Sequence, residues 1–381
     1  MTKRELSSVA TIIMGTSPSG DTYNSDGIGL PLLNGPTEFG ITYPTCTLYT
    51  TASTRECQPS DLIFCVRGST TGKMNWADKV YSLGRGVCAI RGETELDTKF
   101  IRYCIEDDLR SLLNMAGGGT FPNLTKDSIH SFKIPYPENR HKIADVLSAY
   151  DDLIEVNARR IRVLEAIAQS MYREWFENME GWETKTIGDY GNVITGKTPS
   201  KTVEDYWNSR DVPFIRTPDM HGQFYCIEAT DYVSIEGANS QKNAYIPPNS
   251  LCVSCIGTVG IVTIASVKSQ TNQQINSIVL NDLSDLEFLY FELLGLKETL
   301  QSYAATGATM ANLSKGKFMA MNVPYPPKEL REKFHSVASP MFEQIKTLQY
   351  KNANLRRTRD LLLPRLVSGE VGVEGLETKG V

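Results

Sequence analysis

The residues that most suggest chemistry are GNVITGKT, Gly191 to Thr198, which fit the spacing G-x-x-x-x-G-K-[ST]. In nucleotide hydrolases that spacing wraps backbone N–H groups around phosphates, with a lysine on the terminal phosphates and a hydroxyl on magnesium. Such a loop leaves a buried strand and opens a helix. Here the preceding segment is ETKTIGDY, no buried strand, and no apolar run ending in aspartate offers a magnesium ligand. Two weaker fits are GRGVCA (Gly84 to Ala89), a lone G-x-G-x-x-A, and GSTTGKM (Gly68 to Met74), one residue short and lacking a hydroxyl after the lysine. Cys252 and Cys255 form a C-x-x-C inside the apolar run SLCVSCIG. On a strand they point to opposite faces, and no second pair completes a zinc site, so they read as structural. His130, His141, His221 and His335 have no cysteine or carboxylate at ligand spacing. No serine–histidine–acid set, paired acids or N-P-P-Y-type base-methylation motif stands out. The chain reads as non-catalytic, with no catalytic residue, metal or cofactor of its own.

The elements that carry these residues come from a soluble-type chain of 381 residues, 41% hydrophobic and 22% charged, long enough for two domains. The first residues, MTKRELSSVATIIMG, show no signal peptide, and no apolar run reaches membrane-span length, so a cytoplasmic protein is expected. Eight cysteines in this length do not make a disulfide scaffold. The net charge of −5 argues on its face against nucleic acid. Only residues 328–381 are basic, with 10 Lys/Arg against 7 Asp/Glu. If the chain binds DNA, positive charge is local or supplied by partners.

The chain contains itself twice. GGGTFPNLTKDSIHSFKIPYP (Gly117 to Pro137) aligns with TGATMANLSKGKFMAMNVPYP (Thr306 to Pro326) at an offset of 189, with 8 of 21 positions identical. MGTSPS (Met14 to Ser19) matches TGKTPS (Thr195 to Ser200), and QPSDLIFCVRG (Gln58 to Gly68) matches PPNSLCVSCIG (Pro247 to Gly257). A period this long is a duplicated domain, not a solenoid. The repeat also answers the GKT motif. Its twin, VATIIMGTS, has no lysine, and the shared element is G-x-[ST]-P-S, a turn entering each domain.

Short apolar runs broken by Gly, Pro, Asn and Ser predict an α+β chain with two pseudo-symmetric, mostly β domains, at 1–138 and 181–327. Each is followed by a helix, at 139–180 and 328–370, with a frayed tail at 371–381. The first helix carries the seam Leu147, Tyr150, Ile154, Asn157, Ile161, Leu164, Ala168, Met171, Trp175, alternating 3 and 4 as in a coiled coil. The second carries Ala338, Met341, Ile345, Leu348, Asn352, Leu355, Arg359, Leu362, Leu366. Antiparallel packing would bring Asn157 and Asn352 together as a register-setting polar pair, since Asn352 corresponds in the repeat to Ile161. Pro340 and Pro364 are expected to kink or end the second helix near its tips.

The G-x-[ST]-P-S entries, the T-x-x-x-N-L-[ST]-K block before P-Y-P and the ending LRRTRDLLLPRLVSGEV (Leu355 to Val371) resemble the specificity subunits of type I restriction–modification systems, over nearly the whole chain. The resemblance implies a DNA-binding subunit, each globular region reading one half of a split, asymmetric double-stranded sequence. The helices would fix the unread spacer and dock two modification subunits that use S-adenosylmethionine to methylate adenine. Motor-nuclease subunits using ATP and magnesium would join for cleavage. Base readout needs Arg, Lys, Asn, Gln, Ser or Thr at loop tips. Stretches where the copies differ beside a shared framework nominate Thr16, Ser17, Arg67, Ser69, Thr70, Lys73 and Arg85 in the first domain. In the second they nominate Lys197, Thr198, Arg216, Thr258, Gln273 and Gln274. The shared Thr120, Asn123, Lys126 and Thr309, Asn312, Lys315 suit phosphate contacts or loop structure instead. The competing reading is a protein-binding scaffold of duplicated domains that does not touch DNA.

Overall fold

In the computed structural model, which describes residues 2–117, 122–176, 181–305 and 311–373, the central strands of each main sheet alternate their side chains between two cores. The chain divides into two compact units, Met1–Asp152 with Arg356–Val381, and Leu153–Leu355. In the first unit, besides the two-residue strands Tyr23–Asn24 and Tyr49–Thr50, the strands are β1 (Lys3–Glu5), β2 (Ala10–Met14), β3 (Leu30–Leu33), β4 (Glu56–Cys57), β5 (Leu62–Cys65), β6 (Met74–Trp76), β7 (Tyr81–Leu83), β8 (Val87–Gly92) and β9 (Lys133–Pro135). An antiparallel sheet runs β2-β8-β5-β6, with Ala89 opposite Ile13 and Ile63. Leu62, Phe64, Cys88 and Ile90 face one core with Phe100, Ile101 and Ile105 of the helix Glu95–Asp107. Their neighbours Ile63, Val87 and Ala89 face a second core with Leu33, Tyr81 and Leu83. Those last residues belong to a small sheet in which β3 runs parallel to β7 and β4 antiparallel to it. Burial on both faces explains why the strands read as continuous apolar runs. The helix starts on a capping box in which Thr94 accepts from the Asp97 N–H and Asp97 accepts from the Thr94 N–H, each at 3.1 Å.

The second unit repeats this wiring with β10 (Glu183–Thr186), β11 (Gly191–Thr195), β12 (Val212–Ile215), β13 (Tyr245–Ile246), β14 (Leu251–Ser254), β15 (Val262–Ala265), β16 (Ser269–Thr271), β17 (Ile275–Leu280) and β18 (Asn322–Tyr325). Its main sheet runs β11-β17-β14-β15, extended by Tyr225–Cys226. Strand β12 is parallel to β16, and β13 is antiparallel to it. The end strands also correspond, β1 pairing with β9 and β10 with β18. Cys252 and Cys255 lie in separate cores, and burial pushes their thiols up to about 12 and about 11. Among the described residues no group of three His, Cys, Asp or Glu could hold a metal ion, and no helix is long and apolar enough to cross a membrane.

The long helices are Arg140–Phe176 and Lys328–Ser368. Of the two outcomes expected of Pro340 and Pro364, a kink or an end, neither proline ends the second helix, which runs through both. Both prolines are exposed, so the carbonyl each leaves without its helical donor faces water, while Phe334, Ala338, Phe342 and Ile345 stay packed on the core side. Within the second unit the segments of the two helices are antiparallel: Asn157 Nδ2 donates to Asn352 Oδ1 at 2.9 Å, and Trp175 packs on Phe334. Asn352 Nδ2 also donates to the Ile154 carbonyl at 3.1 Å. In the first unit the seam residue Arg359 is paired with Asp151, which also accepts from Arg102 at 3.0 Å and Tyr103 at 2.6 Å. Val371 and Val373 pack on the first unit's core, so the fraying expected from 371 does not begin before Val373, and the rest of that tail lies outside the described residues.

Candidate nucleic-acid interface

In each unit the loops at one end of the main sheet are tied together by backbone hydrogen bonds. In the first, the turn after β2 donates from Gly15 to Val87 (3.0 Å) and from Thr16 to Leu83 (2.8 Å). The loop after β5 donates from Val66 to Gly86 (2.9 Å), and the segment before the helix Lys126–Ser131 donates from Leu124 to Val66 (2.9 Å). In the second unit Gly196 donates to Ile275 (3.0 Å), Cys255 to Gln274 (2.7 Å) and Leu313 to Cys255 (2.8 Å). Three of the four bonds in the first unit, those from Gly15, Val66 and Leu124, recur in the second, and they assign Arg85 to Gln273 and Gly86 to Gln274. They also explain the shared glycine of G-x-[ST]-P-S. A Cβ on Gly15 would lie 2.1 Å from the Gly84 carbonyl oxygen, and one on Gly196 would lie 2.1 Å from that of Asn272.

This geometry removes the phosphate loop. Gly191–Thr195 is strand β11, paired residue by residue with β17 from Gly191↔Leu280 to Thr195↔Asn276, and no helix opens at Lys197. GRGVCA likewise runs into strand β8, and GSTTGKM is the turn between β5 and β6.

The nominated residues mostly converge on these loop clusters. In the first unit Thr16, Arg67, Ser69, Lys73 and Arg85 are exposed there. Arg85 Nε donates to Ser17 Oγ at 3.3 Å, and Arg67 Nε donates to Asn123 Oδ1 at 3.0 Å. Thr70 is half-buried and closes the turn by accepting from the Lys73 N–H at 3.1 Å. In the second unit Lys197, Thr258 and Gln273 are exposed, and Thr198 Oγ1 donates to Gln273 Oε1 at 2.7 Å. Gln274 is half-buried, its Oε1 accepting from Asn272 at 2.9 Å. Arg216 is committed differently: its guanidinium pairs with Asp231 at 3.1 Å, which ties it to the neighbouring strand rather than leaving it free for a base. Lys126 and Lys315 stand exposed at the first turns of short helices, and Asn123 and Asn312 bridge the backbone to Arg67 and Ile256. Thr120 and Thr309 lie outside the described residues.

The sequence reading missed what P-Y-P does. Tyr136 lies between the guanidinium groups of Arg4 (5.2 Å) and Arg140 (4.3 Å), and its hydroxyl donates to Asp97 at 3.1 Å. Tyr325 lies between Lys185 (3.6 Å) and Arg331 (4.3 Å), and Arg331 pairs with the buried Asp285. Each tyrosine therefore clamps the start of a long helix to the domain before it. Burial would raise the Asp97 carboxyl, but hydrogen bonds from Thr94, Arg140, His141 and Tyr136 outweigh it and hold Asp97 well below the usual carboxylate range. The signal was the repeated tyrosine with a cation four or six residues later; the cation on the end strand and the acid are too distant in sequence to show. A cavity of about 480 Å³ opens beside this clamp, lined by Arg4, Arg91 and Arg140. Arg91 is already held by Asp61 at 2.6 Å and Arg140 by Asp97 at 2.7 Å, so their charges are answered internally.

Residues 1–166 and 179–356 match the family described as type I restriction modification DNA specificity domain. The chain is 33% identical to the type I restriction enzyme HindI specificity subunit of Haemophilus influenzae, across 66% of this chain and 72% of that one. It is 28% identical to the MjaIX specificity subunit of Methanocaldococcus jannaschii, across 86% and 82%. The crystal structure of a type I restriction–modification S subunit from M. genitalium has the same fold, with a TM-score of 0.64 at 18% identity over 96% of this chain and 95% of that one. Two matched specificity domains in one duplicated chain place this protein in the type I restriction–modification DNA specificity family.

Proposed function

We propose that the two loop clusters each read one half of a split, asymmetric DNA sequence, and that the chain delivers this specificity to subunits that carry the chemistry. The observation that supports it best is the duplicated loop cluster. The same backbone bonds hold both copies, while the exposed side chains differ: Arg67, Lys73 and Arg85 in one, Lys197, Thr258 and Gln273 in the other. A constant frame with variable polar tips is what two different base readings require. The net charge of −5 fits a reader whose partners make many of the phosphate contacts.

The long helices would set the unread spacer, with the Asn157–Asn352 contact fixing their register. Docking of two modification subunits is supported by a second apolar stripe on the first helix. Leu153, Val156, Val163 and Ile167 recur at coiled-coil spacing and are 45–53% exposed. On this reading S-adenosylmethionine is held by the modification subunits, and ATP with magnesium by motor-nuclease subunits. The test is single-base mapping of N6-methyladenine in cells carrying the chain with its modification subunit. One split motif, methylated on both strands and lost on deletion of this chain, is the expected result. Exchanging residues 181–327 for those of a relative should change only one half. No methylated motif with a demonstrably active modification subunit refutes the reading.

A further inference from the structure

The equivalence of Arg85 and Gln273 goes further than a shared position. In each unit the hydroxyl of the G-x-[ST]-P-S turn holds the side chain at the turn that opens the central strand, β8 or β17. Ser17 Oγ accepts from Arg85 Nε at 3.3 Å and from the Arg85 backbone N–H at 3.4 Å. Thr198 Oγ1 donates to Gln273 Oε1 at 2.7 Å. The hydroxyl is kept in both copies, and the group it orients has changed. Each tip retains its base-reading valences. Arg85, bound through Nε, has both terminal nitrogens open, and among the described residues no carboxylate is within ion-pair range of it. Gln273 keeps both amide hydrogens and one lone pair on Oε1. Two parallel donors match the O6 and N7 of guanine, whereas one donor beside one acceptor matches the N7 and N6 amino group of adenine.

We infer that Arg85 and Gln273 are equivalent specificity-determining residues, Arg85 selecting a G·C pair and Gln273 an A·T pair at corresponding positions of the two half-sites, each aimed by the hydroxyl of Ser17 or Thr198. The inference rests on the proposed DNA-reading function. Ser17 and Thr198, nominated above as base contacts, become positioning residues. Arg216, held by Asp231, takes no part.

The test uses the complex of this chain with its modification subunit, methylating duplexes in which each pair of the wild-type motif is changed in turn. R85Q is expected to reduce discrimination roughly 5- to 150-fold at one G·C position of the first unit's half-site, and nowhere else. Q273R does the same at one A·T position of the other half. S17A weakens discrimination at the R85Q position only, and S17T restores it, a pattern that loss of folding would not give. Because Q273R lies in the other unit, it tests the assignment even if R85Q fails to fold. A first half-site without any G·C pair, or variants that slow methylation equally on every sequence, overturns the assignment. Absence of any motif for the wild-type complex sinks the underlying function instead.

Discussion

Replacing Asn352 by leucine removes two hydrogen bonds at once, the one from Asn157 Nδ2 and the one to the Ile154 carbonyl. Asn157 and Asn352 are only 9% and 3% exposed, so water does not replace the lost partner. The stranded amide of Asn157 costs about 1–3 kcal/mol, and the new leucine returns about 1–2 kcal/mol of apolar burial. The lost bond to the Ile154 carbonyl adds about 0.5–1.5 kcal/mol, so a net loss of about 1–2 kcal/mol follows. Asn157→Leu leaves the bond to Ile154 intact and strands only one acceptor, so it should cost about 1 kcal/mol. The double variant strands neither amide, and two leucines in a seam beside Ile154 and Ile161 should bring stability back to the wild-type level or above it. The two single costs therefore fail to add, by about 2–3 kcal/mol. Native-state hydrogen exchange of the helix amides around residues 153–161 and 345–355 reads all four corners of the cycle. Additivity within about 0.5 kcal/mol would show that the two amides do not depend on each other, and the register role assigned to them would fall.

Asp97 sits buried with its titration held down, so its contribution is fully present above the unfolded carboxylate value of about 3.9 and is lost as pH falls through the lower folded value. The first unit should thus lose stability on acidification below about pH 4, and Asp97→Asn should be less stable at neutral pH with a flatter acid limb, measured by urea midpoints against pH. Gly196→Ala should destabilise the second unit by about 1–3 kcal/mol, because its methyl meets the Asn272 carbonyl, while calorimetry with ATP shows no binding heat before or after the change. Val163→Glu, on the exposed stripe, should shift stability by less than about 0.5 kcal/mol yet abolish co-elution with the modification subunit in gel filtration.

What was legible in the sequence was whatever the duplication wrote twice. The 189-residue offset predicts two like domains because the same backbone bonds, such as Leu124 to Val66 and Leu313 to Cys255, demand the same small and turn-forming residues in each copy. The GKT motif was separable from its chance resemblance for the same reason: a glycine packed under a carbonyl is retained in the twin, and a lysine with no phosphate to hold is not. Side-chain partnerships formed across long sequence distances were not legible. Arg216 reads as a free cation until β12 is placed beside Asp231, and Ser17 reads as a base contact until Arg85, 68 residues away, is found on its hydroxyl. The prolines left two outcomes open, a kink or an end, and only the end is excluded. Pro's cost is a local rule, whereas the helix through Pro340 is held by Phe334, Ala338 and Phe342, whose packing belongs to the whole unit.

The division between frame and reader follows from where variation is tolerated. Exchanging arginine for glutamine at the tip of the β7–β8 or β16–β17 turn leaves every backbone bond of the loop cluster in place, because both side chains point away from the cores and both find the same hydroxyl. Exchanging Gly15 or Gly196 does not, because a Cβ at either would meet a backbone carbonyl at 2.1 Å. On the proposed assignment, a duplicated domain built this way can change the base it reads in one copy without disturbing the other, since the tip side chains are exposed and stand outside the cores.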